Sequence, residues 1–210
     1  MSVTTQRRAD KDKPAWELAE RYPVQGKWDE TEYLALDNSI ENQRTIELVD
    51  GFLEFLPMPS RMHERIVKFL FAVLLDYSRT HRVGEVFFSG RKVKLWENEI
   101  RLPDIVFSLH SGTQRSTEDY EAGADLVMEV VSKSAKDRRR DRVEKRVDYA
   151  RAGIREYWIV DPELKKIEVL KLSGKSYVVH GEFEKGEKAT SVLLKDFEVD
   201  VTAALAGLKY

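Results

Sequence analysis

Apolar positions along the chain recur at two different periods, and each period predicts a different element. Between Thr45 and Leu56 two apolar-rich runs flank Val49-Asp50-Gly51-Phe52. Asp-Gly is a preferred two-residue connection between antiparallel strands, so this stretch predicts a hairpin. In that register Glu47 faces Glu54, and opposed like charges destabilise a ladder unless a cation intervenes or one of them reaches solvent. Pro57 and Pro59 end the hairpin, and Ser60 is placed to cap a helix running to about Thr80. Its residues Met62, Ile66, Phe69, Leu70, Val73, Leu74 and Tyr77 follow helical spacing and mark a core-facing side.

Strands are predicted near Arg91 to Trp96, over Ile100 to Leu109 and over Ala124 to Ser132, with a loop from Gly112 to Gly123. Ser134 with Asp137 forms a capping pattern for a helix ending at Gly153, a residue suited to a left-handed C-terminal cap. Further strands are predicted over Arg155 to Val160, Lys166 to Leu172, Ser176 to His180 and Ser191 to Val199, with Asp161-Pro162 as a turn. This order implies an α/β (α+β) fold: a mixed central sheet flanked by helices, with an N-terminal β-hairpin and a strand–helix–strand unit over 124 to 160. Residues 1 to 13 are polar and aperiodic, while Pro14 to Tyr22 and Asp29 to Leu36 suggest short helices. The expected organisation is a flexible N-terminal arm over 1–27 and a single domain over 28–210.

Composition narrows the chemistry. No apolar run approaches the roughly 20 residues of a membrane span, and the N-terminus lacks the apolar segment of a secretory signal, so the expectation is a cytoplasmic protein with no membrane partner. There is no cysteine, which leaves oxygen and imidazole ligands for any metal and favours a hard ion such as Mg2+ or Mn2+. The net charge of −2 announces no global affinity for nucleic acid. It is unevenly spread, however: residues 133 to 151 carry nine Lys or Arg against four acids. Such a patch suits phosphates, and it equally suits a solvated helix face.

Two carboxylates stand out from their surroundings. Glu129 lies inside Leu126-Val127-Met128-Glu129-Val130-Val131, where an unpaired buried charge would be costly and demands a cation, a metal or a proton. Alternation puts Glu129 on one face with Val127 and Val131, and Asp104 on one face with Leu102 and Val106. If these strands are neighbours, the two acids converge and can hold a divalent ion that activates water. The plainer alternative is an edge position or an ion pair. His63 shares a helix face with Val67, Leu70 and Leu74, which suits a core histidine, although its place after the hairpin makes it a possible neighbour of the site. No phosphate-cradling glycine loop occurs, and no Ser-His-Asp arrangement is legible.

Several separate segments, in order, resemble the Uma-two family of restriction-endonuclease-like proteins. They are Glu47-Leu48-Val49-Asp50-Gly51, Pro59-Ser60-Arg61-Met62-His63, Pro103-Asp104-Ile105-Val106, Asp125 to Ser132, Asp141-Arg142-Val143-Glu144-Lys145 and Tyr149 to Asp161. The resemblance spans about residues 28 to 200. It places the chain in the PD-(D/E)XK nuclease superfamily, and implies a Mg2+-dependent endonuclease acting on nucleic acid, DNA foremost. By resemblance Asp104 and Glu129 are the metal-binding pair, Glu47 a further acid of the site and its metal, and Lys145 the catalytic lysine. Arg138, Arg139, Arg140 and Arg142 would meet backbone phosphates. Nuclease analogy adds the expectation of a homodimer.

One departure needs a structural answer. The superfamily lysine expected two residues after Glu129 is Val131, so the role falls to Lys145 on the following helix. On a regular helix Val143, Val147, Ala150 and Ile154 form an apolar stripe nearly opposite the ridge of Asp141, Lys145, Tyr149 and Ala152. Either the helix is sandwiched, with Lys145 towards the site and the stripe under another element, or Lys145 pairs with Asp141 on the surface. A catalytically silent module that keeps the fold to bind nucleic acid or protein is the alternative function.

Overall fold

The computed structural model describes residues 23–37, 45–88, 90–111 and 116–207. The expected arm over 1–13 and the helix over Pro14–Tyr22 lie outside the described residues. The centre of the fold is a six-stranded sheet in the order β11-β10-β9-β8-β6-β3. Its members are β3 (Gly84–Phe88), β6 (Ile105–Leu109), β8 (Leu126–Val130), β9 (Glu156–Asp161), β10 (Lys166–Ser173) and β11 (Ser176–Glu184). Only β8 and β9 pair in parallel within it, and the strand–helix–strand unit joins them as expected. A five-stranded sheet, β2-β1-β5-β4-β7, lies beside it. It contains the hairpin β1 (Ile46–Val49) and β2 (Phe52–Phe55), then β4 (Lys92–Trp96), β5 (Glu99–Arg101) and β7 (Tyr120–Glu121).

Alternation along β8 decides what each face of the large sheet covers. Leu126, Met128 and Val130 join Ile66, Leu70 and Leu74 of α2 (Arg61–His81) and the C-terminal Val199, Val201 and Ala204 in one core. Val127 and Val131 join Val106, Tyr149, Ala150, Tyr157 and Ile159 in the other. Glu129 belongs to this second face by its period. The hairpin, α1 (Glu30–Asp37) and β5 enclose a third cluster around Tyr33, Ile46, Leu48 and Ile100. No described helix is long and apolar enough to cross a membrane.

Local chemistry accounts for most boundaries. Asp50 and Gly51 have φ of 47° and 78°, the doubly left-handed pair that the Asp-Gly turn requires. Glu47 does stand directly opposite Glu54. The Ser60 hydroxyl accepts from the His63 amide at 3.2 Å and starts α2. Gly153 ends the helical segment after β8 with φ 81°.

Four expectations need correction. The run Ile100 to Leu109 is two strands: β5 and β6 lie in different sheets, and the chain crosses between them at Leu102-Pro103-Asp104, where Pro103 has no N–H for a ladder. Ser191 to Val199 is not one strand. The Ser191 hydroxyl and the amides of Val192 and Leu193 all donate to the buried Glu156 carboxylate at 2.7 Å, so these groups are satisfied without a ladder. Only β13 (Glu198–Asp200) is extended, paired with β12 (Lys188–Thr190) and followed by α5 (Val201–Ala206). Met62 lies outside the core stripe of α2, which begins at Ile66. Finally, the stretch Gly84–Phe88, where the pattern predicts no strand, forms β3, and its Gly84 is needed because a Cβ there would clash with the Ser108 carbonyl oxygen.

The helical segment after β8 is in three parts: α3 (Ala135–Arg139), a π-turn over Arg140–Glu144, and α4 (Lys145–Arg151). The Lys145 amide donates to the Arg140 carbonyl, five residues back. On an α-helix residues four apart drift by about 40°. The wider π-turn offsets part of that drift and keeps Asp137, Asp141, Lys145 and Tyr149 facing the sheet. Val143 and Val147 are consequently turned outwards, 54% and 63% exposed. Neither predicted alternative holds in full: the Lys145 ridge faces inwards, while the apolar stripe is split, with Ala150 and Ile154 buried and Val143 and Val147 exposed.

Candidate active site

The ladder between β6 and β8 pairs Ile105 with Met128, so the next step places Asp104 opposite Glu129. The Val130 N–H points to the side from which the chain has already departed at Pro103. Asp104 Oδ2 accepts this amide at 2.7 Å and also lies 3.1 Å from His63 Nε2. Asp104 is thus held in place by the strand it faces. Burial works against a charge on His63, but the hydrogen bond and charge of Asp104, with Glu129 and Asp141 behind, raise its pKa above the ordinary imidazole value.

Glu129 is buried against α4. Its Oε1 accepts from Lys145 Nζ and from Tyr149 OH, both at 2.7 Å. Lys145 is 1% exposed. Its ammonium also lies 3.1 Å from Glu47 Oε1 and 3.9 Å from Asp141 Oδ1. Glu47 sits behind the lysine with both oxygens engaged: Oε1 accepts from the Leu102 amide at 2.9 Å and Oε2 from Arg101 Nη1 at 3.0 Å. Arg101 also approaches Glu54 to 3.9 Å, so the cation that the opposed glutamates demand is present.

Carboxylates outnumber cations here. Glu47, Glu129 and Asp141 share Lys145, Arg140 lies against Asp137 and Asp141, Asp104 has only His63 among the described residues, and Arg101 divides its charge among Glu47, Glu99 and Asp148. The titration of each acid reflects its place. Burial pushes Glu129 up to about 8, since Asp104, Asp141 and Glu47 offset what Lys145 provides. Asp141 is raised for the same reason, burial first. At Glu47 burial acts upwards too, but Lys145 and Arg101 outweigh it and lower the pKa to about 2. Lys145 stays charged: burial opposes its proton, and Glu129, Glu47 and Asp141 together raise its pKa.

Asp104, Glu129, His63, Asp141, Arg140 and Lys145 all border one cleft of about 640 Å3. Asp104 Oδ1 and Glu129 Oε2 make no hydrogen bond among the described residues. No three His, Asp or Glu side chains among the described residues draw close enough to form a ready cage for an ion. Mg2+ does not need one, because it commonly binds through one or two carboxylates with waters and substrate phosphates. Two all-oxygen carboxylates with an open oxygen each fit that habit.

The arginines expected at phosphates are placed less uniformly. Arg138 and Arg142 both donate to Asp161 Oδ2 at 2.7 Å. Arg140 is buried and donates to Asp137 at 2.9 Å. Arg139 is exposed and pairs with Glu144 at 3.3 Å. Arg101 and Tyr149 are site residues that the sequence alone does not single out. The Glu47–Glu54 clash calls for a cation, yet nothing in the sequence brings β5 beside the hairpin. Tyr149 is visible there only as a member of the Lys145 ridge.

The family model Uma2, described as "Putative restriction endonuclease", matches residues 30–202. None of the curated proteins matches the chain. Among solved structures, the fold is similar to that of a "putative nuclease belonging to DUF820" from Anabaena variabilis ATCC 29413, with a TM-score of 0.67 and 17% identity. That match covers 88% of this chain and 98% of the other. With the family model spanning most of its length, the chain belongs to the Uma2 family, and its architecture is that of a nuclease-like α+β fold.

Proposed function

We propose that the protein is a metal-dependent endonuclease that hydrolyses phosphodiester bonds of nucleic acid, DNA foremost. The observation that carries this reading is the Lys145–Glu129 contact at 2.7 Å in a cleft that Asp104 also enters. It assembles two acids and a lysine although the lysine is absent from the strand. Asp104 and Glu129 would hold Mg2+ or Mn2+, which supplies Lewis-acid polarisation and a more acidic water. Lys145, protonated and clamped between Glu129 and Glu47, orients the attacking water and opposes the negative charge that grows on the phosphoryl oxygens. As the new P–O bond forms and the ester P–O bond breaks, the attacking water gives up a proton to solvent in the open cleft and the leaving oxygen takes one up from it. Glu47 acts as a positioning residue for Lys145, because both its oxygens are already committed. His63 fixes the Asp104 rotamer.

The test is incubation with single- and double-stranded DNA and RNA in Mg2+, Mn2+ or chelator, beside Asp104→Ala. Cleavage that requires the ion and is lost in the variant is expected. Cleavage that survives both chelator and Asp104→Ala would overturn the mechanism, and binding without cleavage in any ion would favour the silent module.

A further inference from the structure

The walls of the cleft differ from its floor. Met58, between Pro57 and Pro59, is 72% exposed, and Phe88, at the end of β3, is 44% exposed; both border the cleft. Phe88 pairs with Ile105, the residue next to Asp104. Its ring is backed by Phe71, with centroids 4.3 Å apart, so the aromatic surface beside the acids is held from behind. Exposed apolar side chains clustered at one concave site mark a ligand surface.

The cations of the cleft are equally uneven. Lys92 is tied to Asp37 at 2.7 Å, Arg140 to Asp137 at 2.9 Å, and Lys145 to Glu129. Lys68, on the α2 wall, is exposed and makes no ion pair with a described residue. The cleft therefore offers, on its lining, an ammonium with no ion pair among the described residues, suited to phosphate, and two apolar side chains that phosphate cannot use. Its volume of about 640 Å3 lies within the range of sites for small organic ligands, the size of one nucleotide. A duplex shows a protein its phosphates and sugars and hides the faces of its bases. An unpaired nucleotide exposes both.

We infer that the cleft receives a nucleotide with its base unstacked against Phe88 and Met58 and a phosphate beside Lys68, so that single-stranded or locally unpaired nucleic acid is the preferred substrate. This inference rests on the nuclease reading and narrows it.

The test is fluorescence anisotropy on the full chain at one salt concentration, with Ca2+ in place of Mg2+. The probes are a short DNA strand, its duplex and the same strand with abasic nucleotides. The intact strand is expected to bind best. Phe88→Ala and Met58→Ala should each lower its affinity towards that of the abasic strand, by roughly five- to a hundredfold for one lost stacking surface. Lys68→Ala should weaken all three probes alike and reduce the salt slope by about one. Met58 is so exposed that its variant keeps the test open should Phe88→Ala misfold. Equal affinity for strand, duplex and abasic strand, with the apolar variants unchanged, overturns the inference. Cleavage of duplex with no preference for the strand overturns it while the nuclease reading stands; absence of both binding and cleavage removes the two together.

Discussion

Lys145 Nζ lies 2.7 Å from Glu129 Oε1, although the two residues are sixteen positions apart and sit on different elements. The pair is nearly dry, with Glu47 on the far side of the ammonium. Removing one member of a buried pair leaves the other unbalanced, which commonly costs about 3–5 kcal/mol. Lys145→Met is expected to destabilise the protein by that amount in urea unfolding followed by tryptophan fluorescence. The double variant with Glu129→Gln should cost less than the sum of the single ones, since both report the same contact. Strict additivity would mean the contact contributes nothing.

Metal binding is visible without any substrate. If Asp104 and Glu129 hold Mg2+, the ion stabilises the native state by about 2.7 kcal/mol at a hundred times its dissociation constant. Thermal unfolding should therefore shift upwards with Mg2+ and return with chelator. Asp104→Asn should abolish the shift, and an identical shift in that variant would move the ion elsewhere.

Glu47 provides a way to separate positioning from ligation. Glu47→Gln loosens Lys145 while leaving Asp104 and Glu129 in place. The expected result is a fall in kcat of roughly 10- to 100-fold, the scale of a small misplacement at a reacting centre, with little change in the Mg2+ concentration needed for half activity. A matching loss of metal affinity would make Glu47 a ligand.

Glu99 should imprint a pH dependence on stability. It approaches Arg101 to 2.9 Å, but the arginine Nε–H is aimed away, so the contact supplies charge and no hydrogen bond. Burial then dominates over Arg101 and pushes Glu99 up to about 7 from 4.5. A raised carboxyl pKa means that the folded state holds the proton more tightly. Its contribution is full below about 4.5 and is lost as pH rises through about 7. One proton corresponds to at most about 1.4 kcal/mol per pH unit. Urea unfolding across that window should show wild-type stability falling more than that of Glu99→Gln; parallel curves would exclude Glu99 as the source.

Much of the architecture is readable from residue order, and the exceptions share a cause. Local chemistry dictates the Asp50-Gly51 turn, the Ser60 and Ser134 caps, the Gly153 stop and the period-two faces of β8. Asp104 and Glu129 are readable too, as polar residues in apolar strand text. Features that depend on tertiary contacts are hidden: the change of sheet at Pro103, the capture of the Ser191–Leu193 segment by Glu156, and the arrival of Arg101 beside Glu47. The Lys145 face eludes the helical pattern because the apolar stripe assumes uniform α-helical phase, whereas a π-turn interrupts it. No sequence period marks such a turn.

That turn makes the position of the lysine a matter of counting. Were the same five residues Arg140–Glu144 to form continuous α-helix, α4 would be turned by about 100° relative to α3, carrying the ammonium away from Glu129. The basic group of this cleft is thus specified by backbone phase across a whole helix. A motif that counts two residues along a strand passes over it, and a change of helical phase alone would silence the site with every one of its side chains still present.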